Sequence, residues 1–401
     1  MARQPIFDAK QDVFAYELLF RGDGIQQTAA LGDDAATIQT INTGLNVMGL
    51  DELIGSAKAF INITEGLLLS GQCAALPPNR VVVELLENIR PTPEVVEATR
   101  GVKDLGFVIA LDDVVSTEGY APLLELADIV KVDFLLTEPH ERYGLIEELH
   151  DRKIQVLAEK VETHEEFDEA KALDCLYFQG FFFCKPQTVS GRQITGSKLK
   201  YLHFIEKVNQ PEIDFEGLEQ VIKADVSLSM KLLKYLNSAA FAFRNEINSI
   251  KHALVLLGEK PVKQWATTVA LGGIADEKPL ALASASLTRA RFCEQTGPEA
   301  GVSGRGLDLF LMGMLSLVDA MVDRPLEQVV QTLPLHDDVK STLLGKDANP
   351  LANIFNLMIA YERCDWPRVT SLCAQTKIAE ERAAEICRAA IEWTDQTLEA
   401  A

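Results

Sequence analysis

Seven short apolar runs in the first 190 residues each carry, at or near their end, a side chain able to do chemistry. These side chains are Glu17, Asn62, Glu84, the adjacent pair Asp112-Asp113, Lys131, Glu159 and Gln179. A carboxylate at a strand end is, taken singly, more often a helix cap or a solvated loop residue. As a set the residues say more. Carboxylates gathered at one place repel and raise one another's pKa unless a cation sits between them. Oxygen-only ligands suit Mg²⁺, Mn²⁺ or Ca²⁺ rather than Zn²⁺. Two such ions a few ångströms apart are one solution to in-line hydrolysis of a phosphodiester. Lys131 is the lone cation of the set, placed to orient an attacking water or to meet a phosphate oxygen.

The elements that must position these groups are legible as alternation. The runs are Phe14–Arg21, Ala59–Thr64, Val81–Glu87, Phe107–Asp113, Ile129–Asp133, Ile154–Glu159 and Leu176–Phe183. The gaps hold helical periodicity, as in Pro93–Leu105 and Thr163–Leu173. Strands alternating with helices imply parallel, buried strands. This many units predict a closed (β/α) barrel, with an open doubly wound sheet as the alternative. In a barrel the strand C-termini share one mouth, where the polar set would converge. Pro5-Ile6-Phe7 and Val13–Leu19, on either side of a polar stretch, predict an opening antiparallel hairpin.

A polar, Gly- and Pro-containing stretch from Lys185 to Ser197 marks a boundary. We therefore expect one domain over 1–190 and another over 195–401. Beyond the boundary the strand signal stops. Tyr201–Val208, Phe215–Ala224, Leu228–Leu236, Ser249–Leu257, Pro261–Leu271, Leu280–Thr296, Leu307–Val322, Leu326–Thr332 and Ala379–Leu398 all read as helices. The fold class is thus α/β followed by all-α.

The 401 residues carry a net charge of −21, which argues against a nucleic-acid polymer bound through its phosphates. It leaves open a nucleotide held through divalent metals. Seven dispersed cysteines with no CxxC pair read as reduced thiols. No charged-then-apolar leader and no run of 18 apolar residues is present, so a cytoplasmic protein with no membrane partner is expected.

Residues 3–190 resemble the EAL family of cyclic di-GMP phosphodiesterases. The resemblance is carried by Gln4-Pro5-Ile6 with Tyr16-Glu17-Leu18-Leu19-Phe20-Arg21, then Phe60-Ile61-Asn62-Ile63 and Glu84-Leu85-Leu86-Glu87. It continues through Leu111-Asp112-Asp113, Lys131-Val132-Asp133, Ala158-Glu159-Lys160-Val161-Glu162 and Gln179-Gly180-Phe181 to Lys185-Pro186. Seven motifs in order make it specific. It implies a TIM-like barrel with a two-metal site for Mg²⁺ or Mn²⁺, with Ca²⁺ as substitute or inhibitor. Glu17, Asn62, Glu84 and Asp112 would hold one ion; Asp112, Asp113 and Glu159 would hold the other. Lys131 would position the water and Gln179 would line the site. Arg21 would meet a ligand phosphate, and Glu87 and Glu162 would brace loops. The product would be linear pGpG. EAL barrels commonly dimerise, so a homodimer is implied as well.

Two departures bear on turnover. After Asp113 the family has Phe-Gly and a small, glycine-containing loop, where this chain has Val114-Val115. β-Branched residues there replace backbone freedom with stiffness, and a ligand misplaced by an ångström costs orders of magnitude in rate. Lys160 stands where the family has Gly. Hydrolysis and ligand binding without turnover therefore both remain open.

The second half lacks what an HD metallohydrolase needs. His203, His252 and His336 have no partner histidines, and His336-Asp337 follows a loop-like Leu333-Pro334-Leu335. In Leu309–Val322, which resembles the helix bearing His-Asp in HD proteins, Ser316 and Leu317 hold those places and cannot ligate metal. Residues 195–390 resemble the HDOD family, through Leu232-Leu233-Lys234-Tyr235-Leu236-Asn237-Ser238-Ala239-Ala240-Phe241, Ile247-Asn248-Ser249-Ile250 and Ala253-Leu254-Val255-Leu256-Leu257-Gly258. That resemblance implies a non-enzymatic output module that binds an unidentified protein partner.

Overall fold

The computed structural model describes residues 2–19, 50, 54–186, 196–210, 212–224, 232, 250–275, 278–333, 335–346 and 349–400. The chain divides into two compact units, Met1–Lys185 and Pro186–Ala401.

In the first unit β1 (Ala2–Asp8) and β2 (Val13–Leu19) form the antiparallel hairpin. Its turn is held by the Asp8 carboxylate, which accepts from the Lys10 and Asp12 amides at 2.8 and 3.0 Å. Six further strands follow in parallel: β3 (Lys58–Ile63), β4 (Val81–Leu85), β5 (Val108–Leu111), β6 (Ile129–Asp133), β7 (Gln155–Glu159) and β8 (Tyr177–Gln179). β8 pairs back onto β1, which closes the barrel and excludes the open sheet.

Helices α1 (Glu65–Leu69), α2 (Pro93–Asp104), α3 (Ala121–Leu124), α4 (Pro139–Asp151) and α5 (His164–Ala172) fill the connections. Their starts are written locally. Thr92 caps α2 ahead of Pro93, a residue suited to the first helical turn. Thr163 and Glu166 form a reciprocal capping box on α5.

One layer inside the barrel positions the site. Ile6, Ala15, Phe60, Val82, Ala110, Ile129 and Leu157 form a buried apolar floor, with Tyr177 packed against it. Side chains alternate faces along a strand, so the next inward residue lies two positions on. For β2 to β8 that step lands in turn on Glu17, Asn62, Glu84, Asp112, Lys131, Glu159 and Gln179. β1 runs the opposite way, so its equivalent is Gln4, two residues before Ile6.

The last strand is shorter than its apolar run. At Gly180 φ is +144°, and an added Cβ would lie 2.1 Å from the Val161 carbonyl oxygen. The chain leaves the sheet there and enters a 3-10 turn, Phe182–Cys184. Phe182 stacks on Phe167 with centroids 4.5 Å apart.

The described residues of the second unit are helical: α6 (Gly196–Val208), α7 (Phe215–Ala224), α8 (Ile250–Leu257), α9 (Glu259–Ile274), α10 (Leu280–Glu299), α11 (Gly306–Leu315) and α12 (Val318–Val322). They continue as α13 (Leu326–Thr332), α14 (Asp337–Leu343), α15 (Pro350–Glu362), α16 (Trp366–Thr376) and α17 (Glu380–Ala400). Phe292, Met312, Leu357, Tyr361 and Ile386 belong to its core. The expected helix over Leu228–Leu236 and the motif from Lys234 to Ser249 lie outside the described residues, apart from Leu232.

The single helix expected over Leu307–Val322 is two, broken at Ser316-Leu317. Continuing it would require the Gly313 and Met314 carbonyls to accept from the amides of residues 317 and 318. At the break both carbonyls accept from side chains instead. The Ser316 hydroxyl donates to Gly313 O at 2.7 Å, and the Ser286 hydroxyl donates to Met314 O.

Candidate functional site: the barrel mouth

At the centre of the mouth lies Lys131, fully buried on β6. Its Nζ is 2.5 Å from Glu84 Oε1, 3.0 Å from Asp112 Oδ1, 3.2 Å from Glu159 Oε1 and 3.4 Å from Glu17 Oε2. Glu17 in turn accepts from Asn62 Nδ2 at 3.1 Å and from Gln179 Nε2 at 2.7 Å. Ligand atoms of Asp112, Asp113 and Glu159 lie within 4.8 Å of one another. The structure thus brings Glu17, Asn62, Glu84, Asp112, Asp113, Lys131, Glu159 and Gln179 into one cluster. Arg21 lies outside the described residues. At Glu87 and Glu162 the contacts run through the main chain. The Glu87 carbonyl accepts from Tyr120 Oη at 2.6 Å, and the Glu162 amide donates to Glu166 at 2.7 Å.

One ammonium does not satisfy this many oxygens. Asn62 Oδ1, Glu84 Oε2, Asp112 Oδ1, Glu159 Oε2 and Gln179 Oε1 are all buried with no hydrogen-bond donor. Asp112 Oδ1 is near Lys131 but not aligned to accept from it. Buried acceptors are normally paired, and leaving one without a donor costs about 1–3 kcal/mol. Acceptors that share one cluster and all lack a donor fit a bound cation, since a cation brings charge without bringing N–H or O–H.

Electrostatics agree with that reading. Burial pushes the Glu159 carboxyl up to about 8; Lys131 opposes the shift, while Asp112, Glu17 and Asp113 add to it. Burial likewise raises Glu84 well above the usual carboxylate range. For Lys131, burial favours the neutral amine. The charges of Glu159, Glu17, Glu84 and Asp112 outweigh it and hold the ammonium.

Around this ring the chain is strained at two non-glycine residues. Asp113 has φ +44° and Lys160 φ +56°, and the left-handed region costs an ordinary L-residue about 1 kcal/mol. The unusual angle expected to matter at Val114-Val115 sits instead on Asp113, and on Gly119 at φ +83°. Val114 is buried, and its amide donates to the Lys131 carbonyl at 3.1 Å. Lys160 Nζ lies 3.3 and 3.5 Å from the two Asp113 oxygens and also donates to Asp133.

Sequence reasoning missed two contributors. Gln4 accepts from Gln179 Nε2 at 3.1 Å; its signal was the hairpin register, which sets Gln4 opposite Glu17. Asp133, fully buried, anchors Lys160, and no local pattern announces that pairing.

The fold and the mouth define a class: a (β/α) barrel closed by one antiparallel strand, with an oxygen-rich ring one layer above an apolar floor, joined in sequence to a helical unit. The model of the EAL domain matches residues 63–186, and that of the HDOD domain residues 200–323. The chain is 32% identical over 378 residues to "Cyclic di-GMP phosphodiesterase CdgJ" of Vibrio cholerae serotype O1, covering 94% of this chain and 87% of that protein. It is 32% identical over 409 residues to "Uncharacterized protein YuxH" of Bacillus subtilis, covering 100% and 99%. The chain belongs to the EAL-domain cyclic di-GMP phosphodiesterase family in its HDOD-fused form. Among solved structures, the c-di-GMP bound form of a standalone EAL protein from Vibrio cholerae aligns at 26% identity over 46% of this chain and 90% of that one, with a TM-score of 0.35.

Proposed function

We propose that this is a cytoplasmic signalling protein whose barrel binds cyclic di-GMP and opens it to linear pGpG with Mg²⁺ or Mn²⁺. The observation that carries the reading is the group of buried oxygens without donors at the mouth. Glu17, Asn62, Glu84 and Asp112 would hold one ion, and Asp112, Asp113 and Glu159 a second. A divalent ion supplies Lewis-acid polarisation of the phosphate and lowers the pKa of water. The chain's own residues do the rest. Lys131 keeps a charged ammonium among the carboxylates and orients the water that adds across one P–O bond. Gln179 and Asn62 fix the Glu17 carboxylate by donating to it. Arg21 is assigned to a ligand phosphate. The helical unit is read as an output module that binds a protein partner, and the active form as a homodimer.

A second reading is favoured by one observation: the Lys160 ammonium already sits against Asp113. In that reading the barrel is a receptor or scaffold that binds the nucleotide without turning it over.

A linear-product assay with Mn²⁺ or Mg²⁺, comparing wild type with Glu17→Ala, separates the two. The phosphodiesterase reading expects product, and a loss of roughly a thousandfold in the variant. Binding at micromolar ligand without product leaves the receptor. The absence of both overturns the nucleotide assignment.

A further inference from the structure

We infer that the Lys160 ammonium is a resident cation on Asp113, so that the barrel mouth takes one divalent ion tightly and a second only weakly. This rests on the metal-dependent reading above and adds to it an order of filling.

Asp112, Asp113 and Glu159 can bring ligand atoms within 4.8 Å of one another. Glu159 is more than nine-tenths buried, and its Oε2 has no donor, so an unsatisfied acceptor belongs to this group. Asp113 differs from the other two, because both of its oxygens lie within 3.5 Å of Lys160 Nζ. That ammonium is not loosely held. It also donates to Asp133, which is fully buried and whose Oδ1 accepts from the Leu135 and Leu136 amides at 2.6 and 2.9 Å. Lys160 keeps this place despite a φ of +56°, a conformation glycine adopts freely and lysine does not.

An ion entering beside Asp113 must therefore displace a fixed positive charge or bind next to it. Either route weakens it, by like-charge repulsion and by loss of a ligand. Lys131 lies against ligands of both sites, Glu17, Glu84 and Asp112 for the first and Asp112 and Glu159 for the second, so it does not distinguish them. Lys160 does: among the described residues none of Glu17, Asn62, Glu84 and Asp112 makes a hydrogen bond or ion pair with it, so its charge is an added cost for the second ion.

The test is a Mn²⁺ titration of the full chain, reading free Mn²⁺ by electron paramagnetic resonance, with no nucleotide present. Wild type is expected to bind one ion tightly and a second at least about tenfold more weakly. Lys160→Gly, which removes the charge and the backbone strain, should tighten the second ion about tenfold or more and leave the first unchanged. Lys160→Gln, which keeps a long side chain at the same backbone angle, should do the same. Lys160→Arg should behave as wild type. Two equal sites in wild type, or a second site that neither neutral variant tightens, overturns the inference while the metal-dependent reading stands. Wild type that binds no Mn²⁺ tightly, and that Glu17→Ala leaves unaltered, overturns both.

Discussion

At the barrel mouth one ammonium, Lys131, faces four carboxylates within 3.4 Å. In the helical unit the buried Arg289 pairs with Glu362. Its Nε and Nη2 fork onto Glu362 at 2.9 and 2.6 Å, and its Nη1 donates to Ser316 at 3.1 Å. Lys278 and Asp323 pair at 2.6 Å. The helical unit's buried Arg289 and Glu294 each meet opposite charge, Glu362 for the first and Lys260 and Arg291 for the second, which is how a fold tolerates ions away from water. The barrel sets four carboxyl groups about one ammonium, and its acceptor oxygens without donors share one cluster. A fold gains nothing from such an arrangement by itself. The imbalance is the mark of a site built for something that arrives from outside.

The sharpest way to break this comparison is to unbalance the matched side. Arg289→Ala removes a buried guanidinium from the Glu362 carboxylate, and should destabilise the helical unit by about 3 kcal/mol in a urea titration. Replacing both partners by Met and Leu should recover most of that loss. If Arg289→Ala were silent, the pairing with Glu362 would be incidental.

The next largest effect is a dependence on pH that runs in opposite directions in the two units. Glu159, pushed up to about 8, and Glu84, raised by burial, favour the protonated form in the folded barrel. The stability they contribute is full below the ordinary value of 4.5 and is lost as pH climbs toward 8. Metal-free protein should show falling hydrogen-exchange protection, relative to the intrinsic rate, in the barrel strands as pH rises through that window, and Mn²⁺ should suppress the fall. In the helical unit the hydrogen bond from Arg305 holds the Asp338 carboxyl below its ordinary 3.8, so its contribution is present above that value and lost on acidification. Barrel strands that become better protected as pH rises without metal would contradict the charge excess.

The smallest effect concerns a feature neutral to both sides. Thr163→Ala removes one half of the α5 capping box and should cost about 1 kcal/mol, with no change in Mn²⁺ affinity. A shift in metal binding would mean that the helix start, and not only the strand ends, sets the mouth.

Much of the barrel was readable because strand geometry is local. Alternation with period two fixes that Glu17 shares a face with Ala15, Asn62 with Phe60, Glu84 with Val82 and Glu159 with Leu157, whichever strands become neighbours. The capping threonines were equally local, each acting over three residues. The early end of β8 was not, because the constraint on Gly180 comes from the Val161 backbone. The break at Ser316-Leu317 was not either. It is met by one hydroxyl and one guanidinium from α10, 28 and 27 residues earlier in the chain.

By itself the sequence determined which side chains share one face of each strand, because that requires only the pleat. Only the tertiary structure decided which charges meet. Lys160 turns to Asp113, 47 residues away, and to Asp133, while Gln4 reaches Gln179 across 175 residues. Coulomb and hydrogen-bond energies depend on distance in space, and closing the barrel is what sets those distances.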